Sequence, residues 1–300
     1  MYRSWLSVPA NHQKKLASLA SLHADAVILD LGDSVAPQDK DEARQNARQW
    51  LAGYRSASLE GEFPSPSRWV RISGLNTPYW RDDLVAIMPG GPHGIILSHT
   101  QGPNELQTLA AELYELEQVH QLEHESVRLI AQIGDSPKSA LTISHLVEKP
   151  HSRIAGLCWS PSSLVRSLGA TRSCGMDGQW TDTMRYVRAH MLLTARAAGV
   201  MAIDMPSQPA NDIDQLILSA RASRADGFTG MMAFHPRQIE PINTIFDAGP
   251  KEVMRAEAII ALFAQTPDAV AVMLDGQLIT KDDLSVARML ITGDARPLER

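Results

Sequence analysis

The sequence predicts an α/β fold: a (β/α)8 TIM barrel with a C-terminal helical or lid extension. Two observations carry this. Eight short apolar runs recur along the 300 residues, separated by amphipathic stretches. No G-x-G-x-x-G or Walker pattern follows any of them, and GGPHG (Gly90–Gly94) has the wrong spacing for a phosphate loop. The second observation disfavours a doubly wound open sheet, which the same alternation would also allow.

The elements follow in order. Strand one is Ser4–Val8, and a helix over Asn11–Leu22 follows with Asn11 as its N-cap. Strand two is Ala26–Leu31, ending in Asp30, Gly32 and Asp33 before a Pro turn. The next helix is Asp39–Leu51, capped by Asp39. Ser56–Arg68, rich in Ser and Pro, reads as a surface loop. Strands three and four are Trp69–Ile72 and Gly94–Leu97, and Asn104 caps a helix over Asn104–Glu123. Strands five and six are Leu129–Ile133 and Gly156–Trp159. Arg172–Asp182, rich in Gly and acids, reads as a second loop. A helix over Thr183–Ala198, strand seven at Met201–Asp204, a helix over Asp212–Arg224 and strand eight at Gly230–Phe234 complete the barrel, residues 1–248. The extension, 249–300, holds a helix at Pro250–Gln265, an apolar strand at Ala269–Leu274 and a helix at Asp282–Ile291. An apolar strand in a tail needs a surface to cover, on its own barrel or a neighbour's.

Composition narrows the function. Hydrophobic content of 44% with 21% charged residues predicts a substantial core. A net charge of −6 with both signs mixed offers no basic block to meet phosphates, which argues against nucleic acid. No apolar run reaches the length of a membrane span, and the N-terminal segment carries no visible secretory signal. Cys158 and Cys174 form no metal or redox motif, so the expected compartment is a reducing cytoplasm.

In a barrel, side chains at the C-terminal strand ends line the site. Arg71, inside the apolar run WVRIS, needs an anion: a ligand carboxylate gripped by its forked donors, or a structural pair with Asp33 or Asp30. Asp33 reads as a general base, an anchor for Arg71, or a cap. His99 and His235 read as acid–base or ligand groups against the commoner hydrogen-bonded structural role, and His235-Pro236 as a turn. Asp204, closing strand seven, reads as a hydrogen-bonding residue. The histidines show no trustworthy metal spacing.

The stretches RSWLSVPA (Arg3–Ala10), DAVILDLGDSVAPQDKDEAR (Asp25–Arg44), VRISGLNTP (Val70–Pro78), ARAAGVMAID (Ala195–Asp204) and GFTGMMAFHPRQIEPIN (Gly227–Asn243) resemble the citrate lyase β-subunit family, in register from Arg3 to the final helix. The resemblance implies a (β/α)8 barrel, commonly trimeric, whose C-terminal segment covers a neighbouring subunit's barrel. It implies carbon–carbon lyase chemistry beside a thioester carbonyl, on citryl-, malyl- or citramalyl-type substrates, with Mg²⁺ and in several members coenzyme A. Carried over by position, the family's substrate arginine is Arg71 and its acid after strand two is Asp33. Pro236, His99 and Gln101 fall at substrate contacts, the last two in place of a Lys and a Glu. The two Mg²⁺-ligand acids fall on Gly134 and Ser163, the lid acid on Thr280, a further Glu on Gly32 and a Lys on Met231. No residue is therefore expected to ligate metal, and Asp135, one position past Gly134, reaches the metal position only if the strand end is rearranged. The expectation is a protein of this lyase family acting on carboxylate or CoA-thioester substrates with altered or impaired catalysis. The other expectation is a non-catalytic subunit: a partner, a regulator, or a binder of CoA or a metabolite.

Overall fold

A computed structural model describes residues 2–60, 66–148, 151–207 and 212–292. Its frame is a closed barrel of eight parallel strands in sequence order: β1 Ser4–Pro9, β2 Ala26–Asp30, β3 Ser67–Ile72, β4 Gly94–Leu97, β5 Arg128–Ile133, β6 Ile154–Trp159, β7 Met201–Asp204 and β8 Gly230–Ala233. β1 closes the ring by pairing with β8, Trp5 opposite Met232.

The period of two along each strand splits the core into two regions. One set of side chains fills the barrel: Trp5, Ala26, Ile28, Trp69, Ile96, Ile130, Cys158, Ile203 and Met232. The alternate set, such as Val27, Leu29, Val70, Leu129 and Met231, packs outward against the helices. The rings of Trp5 and Trp69 meet edge-on with centroids 5.3 Å apart. Gly94 makes room for them, since a Cβ there would lie 2.2 Å from the Trp69 ring. The interior is thus a packed apolar plug, with Ser67 bonding the Trp69 indole at its lower end and a polar cluster above it.

The helices are α1 Gln13–Ser18, α2 Lys40–Glu60, α3 Trp80–Ile87, α4 Pro103–Val119, α5 Pro137–Leu141, α6 His145–Glu148, α7 Pro161–Leu168, α8 Asp182–Ala197, α9 Ile213–Asp226, α10 Ile239–Phe246, α11 Pro250–Gln265 and α12 Lys281–Thr292. Two expected caps are corrected. His12, not Asn11, precedes α1, with no side-chain cap bond. Gly102 precedes α4 and Pro103 opens it, so Asn104 lies inside the first turn; proline suits that first position because its missing N–H would be unpaired anyway. Asp39 closes a 3-10 turn, Pro37–Asp39, and α2 begins one residue later. The expected loop at Ser56–Arg68 is shorter than read: α2 runs through Glu60 and β3 starts at Ser67, while residues 61–65 lie outside the described residues. Asp212 is the cap of α9, its carboxylate accepting from the Gln215 N–H at 3.0 Å.

The extension has its own small core of Ala256, Ile259, Phe263, Ile279, Leu284 and Ala287. Its apolar strand pairs within the tail. β9 (Ala271–Leu274) and β10 (Gln277–Thr280) form an antiparallel hairpin. Asp275 and Gly276 between them both have positive φ, 50° and 77°, as a two-residue Asp-Gly hairpin turn requires. Residues 293–300 lie outside the described residues. Among the described residues no helix is long and apolar enough to cross a membrane.

Candidate active site

The period of two that fills the barrel also builds its mouth. Asp30 stands one pleat above Ile28, Arg71 above Trp69 and Gln132 above Ile130, so all three point inward over the plug. Asp30 and Arg71 are register partners on β2 and β3. Arg71 Nε donates to Asp30 Oδ1 at 2.8 Å, Nη2 donates to Asp30 Oδ2, and Nη1 donates to Gln132 Oε1 at 3.2 Å. The Gly32 N–H also donates to Asp30 Oδ1, at 2.8 Å. Burial pushes the Asp30 carboxyl up, but the adjacent guanidinium outweighs it and holds the group below the usual carboxylate range. Arg71 remains 18% exposed, so its outer edge reaches the mouth. Three of its five N–H groups are engaged, which leaves one on each Nη.

Beside this pair lies a histidine held by two acids. His99 follows β4 in a left-handed backbone conformation, φ 55°, which is uncommon for a non-glycine residue. Its Nε2 is 2.9 Å from Asp33 Oδ2, and its Nδ1 is 3.0 Å from Asp135 Oδ2. A carboxylate at each ring nitrogen requires a proton on each, so the ring is an imidazolium. The bonds to Asp135 and then Asp33 push its pKa up to about 10 against the effect of burial. The bond from His99 likewise draws the Asp33 carboxyl down. Gln132 links the two halves: its carbonyl accepts from Arg71 and its amide donates to Asp135 Oδ2 at 2.7 Å. Asp135 is 3% exposed, and its Oδ1 is buried without a hydrogen-bond partner.

A polar frame supports this centre. Ser160 caps α7, accepting from the Ser163 N–H at 3.4 Å. Arg166 on that helix donates to Ser163 Oγ at 3.2 Å and stands 3.7 Å from Asp33. Lys40, 5% exposed, anchors the turn after β2: its Nζ donates to the carbonyls of Leu31 and Gly32 and to Ser73 Oγ. Lys40 has no signal of its own in the sequence, since it opens a helix of ordinary charged composition. Gln132 is a site residue that the sequence reading missed; the period of two along β5, which turns it inward with Ile130, is the signal that could have found it.

Of the residues singled out in the sequence, Asp33, Arg71 and His99 meet at the mouth. Arg71 takes Asp30, one of its two expected partners, while Asp33 takes His99. Gln101 turns back, its Nε2 donating to the His99 carbonyl at 3.0 Å, and so braces the strained loop. Pro236 opens the turn after β8 as read, with His235 Nδ1 accepting from the Arg237 N–H at 3.2 Å. Pro236 also lines a side groove with Arg3, His23 and Asp247. Asp204 is a structural acceptor for Trp159, Arg188 and Ser223. Gly134 has φ +74°, and a Cβ there would lie 2.6 Å from Val187 Cγ1. Met231 is in the helix-facing core, and Thr280 bonds Asp283 at the start of α12. Among the described residues no group of three or more His, Cys, Asp or Glu side chains is arranged to hold a metal ion.

Comparison with known proteins agrees with this architecture. The chain is 28% identical to the citrate lyase subunit beta of Escherichia coli (strain K12), over 97% of this chain and 94% of that one. It is 27% identical to the mitochondrial citramalyl-CoA lyase of Mus musculus, over 88% of this chain and 76% of that one. Among solved structures, CitE from Mycobacterium tuberculosis in complex with magnesium, acetoacetate and coenzyme A superposes with a TM-score of 0.68 at 25% identity, covering 97% of each chain. The HpcH/HpaI aldolase/citrate lyase model matches residues 3–236, the whole barrel from β1 to the turn after β8, and the chain belongs to that family.

Proposed function

We propose that the chain acts at the Arg71 mouth on a small carboxylate or CoA-thioester ligand, as a citrate-lyase-β-like protein whose carbon–carbon lyase chemistry is altered from the Mg²⁺-dependent form. The observation that carries this is the Arg71 guanidinium. It is fixed by Asp30 and Gln132, partly exposed, and retains one N–H on each Nη for an incoming carboxylate. Cleaving a bond beside a thioester carbonyl leaves an enolate whose charge needs stabilising. Arg71 and His99 are the cations placed to face it.

The residues present do not fit Mg²⁺. That ion prefers oxygen ligands, usually with at least one carboxylate. Gly134 has no side chain, Ser163 Oγ is engaged by Arg166 and Ser160, and Asp135 Oδ2 is shared by His99 and Gln132, so that its Oδ1 is a single unpartnered oxygen, short of the set of ligands Mg²⁺ takes. Loss of either ligand acid could remove orders of magnitude from a metal-dependent rate.

A second reading is a non-catalytic partner, regulatory, or CoA- or metabolite-binding subunit. It is favoured by charge balance at the mouth, where three cations (Arg71, His99 and Arg166) face three carboxylates (Asp30, Asp33 and Asp135). We also infer a homotrimer in which the extension covers a neighbour's barrel. The hairpin supports this, leaving Val270, Met273 and Leu278 exposed; sedimentation of the purified chain tests it. A cytoplasmic location is supported by the two free cysteines.

The deciding experiment incubates the purified protein with malyl-, citramalyl- and citryl-type thioesters, with and without Mg²⁺, and follows acetyl- or pyruvate-type products. Metal-independent cleavage supports the first reading, and metal-dependent turnover overturns it. Absence of product together with a thermal shift by CoA selects the second reading.

A further inference from the structure

We propose that the His99 side chain, bridged between Asp33 and Asp135, takes over the charge role of a divalent cation at this mouth, so that carboxylate binding needs no metal. The inference rests on the reading of the mouth as a carboxylate site and deepens it.

The geometry assigns the parts. Asp135 is buried, and a buried carboxylate needs a counter-ion. Arg71 is committed to Asp30, and Gln132 is neutral, which leaves His99 at 3.0 Å as the partner of Asp135. The opposite ring nitrogen faces Asp33, which is 46% exposed and sits in the open side of the mouth. Asp135 is therefore the fixed arm and Asp33 the exchangeable one. A ligand carboxylate that displaces Asp33 from Nε2–H receives a charge-assisted bond there while an Arg71 N–H holds a second oxygen. Displaced Asp33 retains Arg166, 3.7 Å away. The charged groups facing His99 are thus Asp33 after β2, Asp135 after β5 and, beyond them, Arg71 on β3 and Arg166 on α7. The left-handed backbone at His99, braced by Gln101 through the His99 carbonyl, presents the ring to its two acids, whose bonds offset the cost of that conformation.

The test uses the full chain with oxaloacetate and acetoacetate as probes, followed by calorimetry in chelator-treated buffer. The expected result is binding that added Mg²⁺ leaves unchanged. His99→Gln should weaken it about tenfold or more, with no recovery on adding Mg²⁺, and His99→Lys should restore part of it. Wild-type binding that requires Mg²⁺, or undiminished binding by His99→Gln, overturns the proposal. A second arm needs no ligand: nitrogen NMR of the His99 ring, with a manganese(II) titration of the same sample. An imidazolium at about pH 7 without manganese broadening at His99 supports the proposal, and a neutral ring or local broadening overturns it. If neither keto acid binds the wild type, the carboxylate-site reading fails, and the NMR arm alone decides the charge role of His99.

Discussion

Asp30 and Arg71 sit opposite each other in register on β2 and β3, and the guanidinium grips the carboxylate at two points directly above Ile28 and Trp69. Asp30 is 1% exposed, so removing its charge leaves a largely buried guanidinium without its counter-ion. Breaking such a pair costs about 3–5 kcal/mol, whereas replacing both members with apolar residues is often close to neutral. Asp30→Asn should therefore lower stability in urea denaturation by about that amount, and Asp30→Asn with Arg71→Met should recover much of it. A loss below about 1 kcal/mol for the single variant would mean that solvent at the mouth, not Asp30, sustains Arg71.

This pair also marks how far the sequence could be read. The barrel was legible because each strand is an apolar run with its own boundaries: Gly94–Leu97 and Met201–Asp204 form as read. Arg71 was legible as a cation needing an anion, with Asp33 and Asp30 as its alternative structural partners. His99 was not resolvable in the same way. Its two acids come from the turns after β2 and β5, and Asp33 is 66 positions away in the chain. Nothing in a local pattern brings two carboxylates from separate loops to opposite nitrogens of one imidazole, at 2.9 and 3.0 Å; ring closure does. Cap positions failed for a smaller reason. Asn104 has the right side chain, but Pro103 before it already fits the first helical position.

Stability should depend on pH through His99. Its pKa stands raised from 6.5 to about 10 in the folded chain. The sign follows from linkage: a raised pKa stabilises the fold fully below the unfolded value, and that contribution is lost as pH rises through the folded value. The difference in Tm between wild type and His99→Gln should thus be largest below about pH 6.5 and shrink toward about pH 10. Asp33 acts at the other end. Its lowered pKa gives a contribution present above the ordinary carboxylate value of 3.8 and lost in stronger acid. A Tm difference that stays flat between about pH 6.5 and 10 would show that His99 is neutral.

Glu117 and Arg153 provide a control remote from the mouth. They are 1% and 2% exposed, and Arg153 donates to both Glu117 oxygens, at 2.6 and 2.7 Å. Glu117 also accepts the N–H groups of Glu125 and Val127, both at 3.1 Å, tying α4 to the turn that enters β5. Glu117→Gln should cost about 3–5 kcal/mol in urea denaturation, comparable to Asp30→Asn. It should leave keto-acid affinity unchanged, since neither residue reaches the mouth. A fall in affinity at a temperature where the variant is fully folded would place the binding site elsewhere.

Gly134 tests why the mouth has taken this form. It occupies the position of a metal-ligand acid in the family resemblance, yet its φ is +74° and a Cβ would lie 2.6 Å from Val187 Cγ1. Val187 lies on α8 and is 1% exposed, so it has little room to yield. Restoring an acid by Gly134→Glu therefore meets two penalties. A side chain in the left-handed region costs about 1–2 kcal/mol, and overpacking against a buried neighbour adds about 1–3 kcal/mol. The single variant should lose about 2–5 kcal/mol in urea denaturation, and adding Val187→Ala should recover the packing part but not the backbone part. Manganese(II) titration should show no site in Gly134→Glu with Ser163→Asp while His99 still bridges Asp33 and Asp135. If Gly134→Glu alone is as stable as the parent, the backbone at 134 has left the left-handed region, and the contact of Val187 with the turn after β5 no longer explains the glycine.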